Sequence, residues 1–255
     1  MGISTKAYDP RFFASIAPSS LDSASIIVPL VLRDLAPASV VDFGCGEGAW
    51  LSTFVANGLE DVEGIDGDHV DRTMLRIEAR RFTAMDLEHA LPTRRRFDLA
   101  MSLEVAEHLT ADGGRRLVDA LCKSSEVVLF SAAVPGQGGT HHINEQWLEY
   151  WIEQFEINGH RLFDVYRPRI AFDRRIAWWY RQNLVLFASN SAASKLPAAW
   201  TARGPDSGQE WVHIETVRAL LRPRGLLRIL PRSLAASIRG RLHRYTISAE
   251  TKGRR

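Results

Sequence analysis

Val40-Val41-Asp42-Phe43-Gly44-Cys45-Gly46-Glu47-Gly48-Ala49-Trp50 is the stretch on which the fold of this chain turns. Its short, Val-rich apolar run has the character of a buried parallel strand, and it stops at glycines. Three alternating glycines, Gly44, Gly46 and Gly48, let the backbone turn tightly and approach a ligand with no Cβ in the way. Apolar residues at helical spacing follow, through Phe54 and Val55, so the N-terminus of a helix faces whatever the turn binds. Strand, glycine turn and helix in this order make a nucleotide-type cofactor site.

Gly44-x-Gly46-x-x-Ala49 also satisfies the relaxed dinucleotide fingerprint, which keeps an NAD-dependent oxidoreductase as an alternative. Asp42 and Glu47 weigh against it. Asp42 stands two residues before the first glycine, where a pyrophosphate-binding turn keeps an apolar residue, and Glu47 puts a second negative charge inside the turn. Both would repel phosphate, whereas a cofactor with an ammonium and a sulfonium suits them. On these residues the chain resembles the class I S-adenosylmethionine-dependent methyltransferases, and the likeness runs in order of motifs over about residues 40–189. The resemblance implies a Rossmann-like, doubly wound α/β sheet, mostly parallel, with a late antiparallel strand. It also implies S-adenosylmethionine as the cofactor, held by Asp42, Gly44, Gly46, Glu47 and Gly48.

Downstream segments fit the same frame. Val62-Glu63-Gly64-Ile65-Asp66 reads as a second strand, ending in an acid eighteen positions after Gly48. A carboxylate there can accept both ribose hydroxyls of an adenosine, although it supports a nucleoside without choosing between cofactors. Phe82-Thr83-Ala84-Met85-Asp86-Leu87 reads as the third strand and its exit. The resemblance carries Asp86 over as the acid that meets the adenine amino group, with Leu87 as a ring contact. Residues 97–103 and 126–130 read as strands four and five, and residues 183–188 as the late antiparallel strand. Ahead of them all, Ser19 with Asp22 has capping-box form, so a helix is expected from about Leu21 to Leu35.

Composition bounds the rest. With 255 residues the chain is long enough for one α/β domain, expected over residues 1–190, and an extension over residues 191–255. Its two cysteines, Cys45 and Cys122, have no metal-type spacing and no disulfide framework, which suggests a reducing cytoplasm. No signal-peptide pattern and no apolar run of membrane-spanning length occurs. The net charge of +2 conceals an asymmetry: residues 218–255 carry eleven Lys and Arg against one acid, and the rest of the chain is acidic. Leucines and isoleucines interleave with those arginines. A helical basic extension of this kind suits an anionic membrane surface, the domain's own acidic face or nucleic acid, and would leave the enzyme cytoplasmic and peripheral.

The catalytic groups are expected where open α/β sheets bind ligands, beyond the carboxyl ends of strands four and five. Glu104-Val105-Ala106-Glu107-His108 follows the fourth strand, and a loop carrying Gln137, His141, His142 and Trp147 follows the fifth. The Glu-x-x-Glu-His cluster resembles that of ubiquinone-biosynthesis O-methyltransferases and of small-RNA 2′-O-methyltransferases, and in the latter it holds a divalent metal. The likeness makes Glu104, Glu107, His108 and His142 candidate ligands for Mg²⁺ or Mn²⁺. His108, His141 and His142 are equally candidates for a base acting without metal, since an activated methyl sulfonium needs only an aligned acceptor and removal of its proton. A bound cation would serve by lowering the pKa of a hydroxyl. A purely structural role, with the acids at a helix start, also fits. Trp147, Tyr150 and Trp151, and then Trp178-Trp179-Tyr180-Arg181-Gln182-Asn183, offer aromatic faces beside polar donors, which suits sugar rings; core packing is the duller reading of the same spacing. The loop and the second cluster together resemble a bacterial subgroup of glycan and natural-product methyltransferases. The expected reaction is therefore O-methylation of a sugar or sugar-bearing small molecule. A natural-product or quinone-type acceptor is the alternative, and a non-catalytic cofactor-binding module stands behind both.

Overall fold

Strand β1 (Ser39–Phe43) is buried along its whole length, as its Val-rich sequence requires. Its side chains alternate between two cores. Val40 packs with α1 (Pro10–Leu35) and α2 (Ala49–Ala56) on one face, and Val41 and Phe43 pack with α3 (Ala111–Ser124) and α4 (Leu148–Ile157) on the other. The same alternation runs through β4 (Leu99–Leu103), where Leu99, Met101 and Leu103 face the first core and Ala100 the second. Each buried aliphatic side chain of this kind stabilises the fold by roughly 1.5–3 kcal/mol relative to leaving it in water. The computed structural model describes residues 10–201, with isolated positions 212, 214, 217 and 218.

The sheet has seven strands in the order β3-β2-β1-β4-β5-β7-β6. β2 (Asp61–Asp66), β3 (Phe82–Ala84), β4 and β5 (Val127–Ser131) run parallel to β1, and the order reverses at β1 and β4. That reversal opens a crevice at the strands' carboxyl ends. β7 (Val185–Ser189) pairs antiparallel with both β5 and β6 (His160–Phe163), which confirms the late antiparallel strand and the doubly wound fold. β6 escaped the sequence reading. It has four residues with only Leu162 and Phe163 apolar, and pairing with β7 rather than its own pattern makes it a strand.

Two other expectations change. α1 begins at Pro10 and passes through Ser19, whose carbonyl accepts the Ser23 hydroxyl at 2.6 Å in a helical i, i+4 relation. A Ser-x-x-Asp pattern caps a helix only where the backbone turns, and here it does not turn. The Ser-, Ala-, Gly- and Pro-rich stretch 189–208 reads as a linker or surface loop, yet its described part contains two short helical turns, α7 (Asn190–Ala193) and α8 (Ala198–Thr201). The expected boundary at residue 190 falls at the first of them. Most of the expected basic extension lies outside the described residues. Among those described, no helix is long and apolar enough to cross a membrane. α5 (Arg167–Ile170) and α6 (Trp178–Asn183) lead into β7.

Candidate active site

The glycine turn has the geometry its sequence demands. Gly44, Gly46 and Gly48 have φ of 87°, 53° and 82°, in the left-handed region that a side chain resists. A Cβ on Gly44 would lie 2.3 Å from Cγ2 of Val105, so the turn also packs directly on the exit of β4. Asp66 closes the turn from the neighbouring strand: its carboxylate accepts the backbone N–H of Gly46 at 2.7 Å and that of Gly67 at 2.6 Å. Burial raises the pKa of Asp66, while nearby His69 and those two amides pull it back. Asp42 lies buried behind it and is raised well above the usual carboxylate range, first by burial and then by the charge of Asp66. The same burial, with Asp66 and Asp42, raises the Cys45 thiol. Asp66 lines the cleft and Asp42 is buried within reach of its charge, an acidic setting that favours a cationic ligand and opposes a pyrophosphate. Glu47 is buried in the turn with the Arg76 guanidinium 3.8 Å away.

Asp86 and Leu87 follow β3 at the rim of the same cleft, where buried Leu87 supplies an apolar wall. The Asp86 carboxylate accepts the backbone N–H of Glu88 at 3.0 Å on one oxygen, lies 3.2 Å from His89 Nδ1 on the other, and is largely exposed. The cleft has a volume of about 1010 Å³ and continues from the glycine turn to Glu107, His108 and His142.

The far half is assembled from three segments. After β4 the backbone reverses at Glu104, whose φ of 59° is unusual for a residue with a side chain. Its N–H donates to the Ser131 carbonyl at 2.9 Å, which holds the reversal against β5. The turn Ala106–His108 follows, and the Glu107 carbonyl accepts the N–H groups of Ile143 at 2.9 Å and Asn144 at 3.0 Å. The loop after β5 is thereby tied to the loop after β4, and the His108 and His142 rings meet edge to face with centroids 4.8 Å apart. Burial, and then His142, lowers the His108 pKa to about 4, so its imidazole is neutral at ordinary pH.

The Glu107 side chain is fully buried, and neither carboxylate oxygen has a hydrogen-bond partner of normal geometry. Burial and then the charge of Glu104 raise its pKa strongly, and the backbone N–H groups of Glu107 and Ala133 offset this only in part. Glu107, His108 and His142 each offer a ligand atom, all within 4.8 Å of one another. An orphaned carboxylate beside two imidazoles is a donor set that fits a divalent cation.

Two of the expected site residues take other places. Glu104 does not join the group of three. Its oxygens accept from Gln137 Nε2 at 2.8 Å and Asn183 Nδ2 at 3.1 Å, in an amide network that Gln182 completes. With a left-handed backbone at Glu104, its carboxylate meets the side-chain amides of Gln137 and Asn183, although its charge still reaches Glu107 and His142. The His141 side chain is exposed, and what this residue brings to the site is a backbone carbonyl beside the His108 ring, which pulls the pKa of that ring back up in part. Among the aromatic residues, Trp178, Trp179 and Tyr180 line the cleft, whereas Trp151 is core, 5.3 Å from Phe130, and Trp147 lies outside the cleft. The sequence assigns no role in the site to three residues that build it: Gln137, Asn183 and Glu145. Only the His142-x-x-Glu145 spacing carried a signal. Glu145 accepts from the N–H groups of Gly136 and Gly138, both at 2.8 Å, and pairs with His142 Nδ1 at 3.0 Å.

Comparison with known proteins agrees with this geometry. The pattern of a methyltransferase-domain family matches residues 20–180. A ubiquinone biosynthesis O-methyltransferase of Rhodopseudomonas palustris is 34% identical over 94 residues, and the match covers 33% of this chain and 35% of that relative. The aligned part thus spans about a third of the length of the curated relative. Among solved structures, an amino pentose methyltransferase of Micromonospora echinaspora with S-adenosylmethionine bound is similar at a TM-score of 0.52 and 17% identity, over 72% of this chain and 98% of that one. An O-methyltransferase family protein of Burkholderia thailandensis is similar at a TM-score of 0.51 and 13% identity, over 70% of this chain and 59% of that one. The structural likenesses establish the fold. The acid-backed glycine turn at its switch point and the family match over residues 20–180 establish the rest: the chain belongs to the class I S-adenosylmethionine-dependent methyltransferase family.

Proposed function

We propose that this enzyme transfers the methyl group of S-adenosylmethionine to a hydroxyl of a small ring-bearing molecule. The observation that carries the reading is one continuous cleft, with the acid-backed glycine turn at one end and Glu107, His108 and His142 at the other. A quinone-type or natural-product acceptor is better supported than the sugar expected first. Half-buried Trp178 and Trp179 offer flat faces to a planar ring, and the curated relative named above acts in ubiquinone biosynthesis.

In the reaction the acceptor hydroxyl gives its proton to an imidazole, its oxygen bonds the methyl carbon, and the S–C bond breaks with its electron pair left on sulfur. S-adenosylhomocysteine departs neutral at sulfur. The His108 imidazole, pushed to about 4 by burial, holds a proton poorly and is suited to donating its lone pair. His142 is the better acceptor, because its Nδ1 is paired with Glu145 and its Nε2 is left for the cleft. Glu107, His108 and His142 would hold a divalent cation, which when bound makes a neighbouring hydroxyl more acidic.

The test is product analysis with S-adenosylmethionine and a panel of catechols, quinols and methyl glycosides, before and after exhaustive chelation. O-Methylated catechol or quinol is expected. Methyl transfer to the glycosides alone would restore the sugar acceptor, and transfer only to amines would overturn O-methylation. Loss of activity on chelation, recovered with Mg²⁺ or Mn²⁺, assigns the lone pair of His142 to a cation. Full activity after chelation assigns it to the proton.

A further inference from the structure

Glu145 stands at the junction of two things the site needs: a shaped loop and an oriented imidazole. Its Oε2 accepts the N–H of Gly136, and its Oε1 accepts the N–H of Gly138, each at 2.8 Å. Both glycines have positive φ, 87° and 72°, so the turn aims two alternate N–H groups at one carboxylate, while the N–H of Gln137 between them donates to the Val134 carbonyl. Oε1 also faces His142 Nδ1 at 3.0 Å. A carboxylate can only accept hydrogen bonds, so Nδ1 carries the hydrogen and the lone pair of the ring is on Nε2.

The other edge of the ring is shaped as well. A Cβ built on Gly139 would lie 2.2 Å from His142 Nε2 and 2.4 Å from Cε1. The absence of a side chain at residue 139 therefore keeps the Nε2 edge open, while Glu145 holds the opposite edge. The ring is set between these two constraints, edge to face with His108.

We propose that Glu145 is a positioning residue: it fixes the tautomer and orientation of His142, so that the Nε2 lone pair is presented to the cleft beside Glu107 and His108. The inference rests on the reading of that cluster as the place where the acceptor is activated. It holds whether the lone pair takes a proton or a cation. Partners of this kind, one bond removed from the reacting atoms, typically carry about 10–100-fold in activity or metal affinity.

Glu145→Gln in the full chain is the informative change, because an amide can donate to Nδ1 and so favour the opposite tautomer. Three readouts apply. ¹⁵N-resolved NMR of the histidine rings should move His142 from the Nδ1–H form to the Nε2–H form, a measurement that needs no substrate. Mn²⁺ affinity, where the wild type binds it, should weaken about tenfold or more, with S-adenosylhomocysteine affinity unchanged. Turnover should fall by about 10–100-fold, with KM for the acceptor nearly constant. In a His142→Ala background the same substitution should cost almost nothing, since Glu145 acts through that ring. A role confined to bracing the turn at residues 136–138 would give equal losses in both backgrounds and would overturn the proposal. So would a His142 ring that keeps Nδ1–H in Glu145→Gln. Gly139→Ala gives an independent line: it should lower turnover with Nδ1–H retained, and unchanged turnover in that variant would refute the open Nε2 edge. If no acceptor is ever methylated while the NMR switch occurs, the functional reading fails and the positioning role stands.

Discussion

The two ends of the cleft are built on different principles. The cofactor end is a backbone structure: one glycine turn, tied to the next strand by the Asp66 carboxylate on the N–H groups of Gly46 and Gly67. The acceptor end is a side-chain structure, in which Glu104 is held by Gln137 and Asn183, residues 33 and 79 positions away. A turn of this kind depends on φ values and close approach, so its tolerance to substitution is small and local. A side-chain network can lose one member and keep its shape while its chemistry is lost. Cofactor affinity and turnover should therefore separate cleanly under mutation.

The largest effect should come from Gly44→Val. It meets a φ of 87° and the Val105 side chain together, and calorimetry should find no S-adenosylhomocysteine binding in a protein that keeps its far-ultraviolet circular dichroism. Binding within threefold of the parent would break the contrast at once. His108→Ala and His142→Ala come next, with turnover lowered by about two orders of magnitude or more and S-adenosylhomocysteine affinity nearly unchanged. Parallel losses of affinity in these variants would show that the two ends are one unit.

Asp66→Ala should weaken S-adenosylhomocysteine by about tenfold or more, because it removes the brace on Gly46 together with the expected ribose acceptor. The smallest effect concerns pH. Asp42 is raised by burial and by Asp66, which favours its protonated form, and a cationic ligand favours the ionised form. Binding then releases a proton, and S-adenosylmethionine affinity should climb as pH rises through that elevated pKa. Affinity followed as a function of pH should show the climb, and Asp42→Asn should flatten it. An affinity that falls with pH in the parent would reverse the assignment of charge in this pocket.

Sequence alone determined the cofactor end because its information is contiguous. The Val-rich strand, the glycines at 44, 46 and 48 and the acid at 66 act through backbone conformation and strand order, both of which leave periodic signals along the chain. The tertiary structure decided the acceptor end. Glu104 and Glu107 look equivalent in Glu-x-x-Glu-His, yet the left-handed backbone at Glu104 sends one carboxylate into an amide network and leaves the other buried beside two imidazoles. His141 and His142 are neighbours, and the bonds that Glu107's carbonyl and Glu145's carboxylate make with the loop place only the second ring in the cluster. Trp151 and Trp178 differ in the same way, one packed on Phe130 and the other on the cleft wall. The physical reason is distance along the chain: a bond between residues far apart in sequence leaves no periodicity for either partner to show, and only the folded sheet brings them within reach.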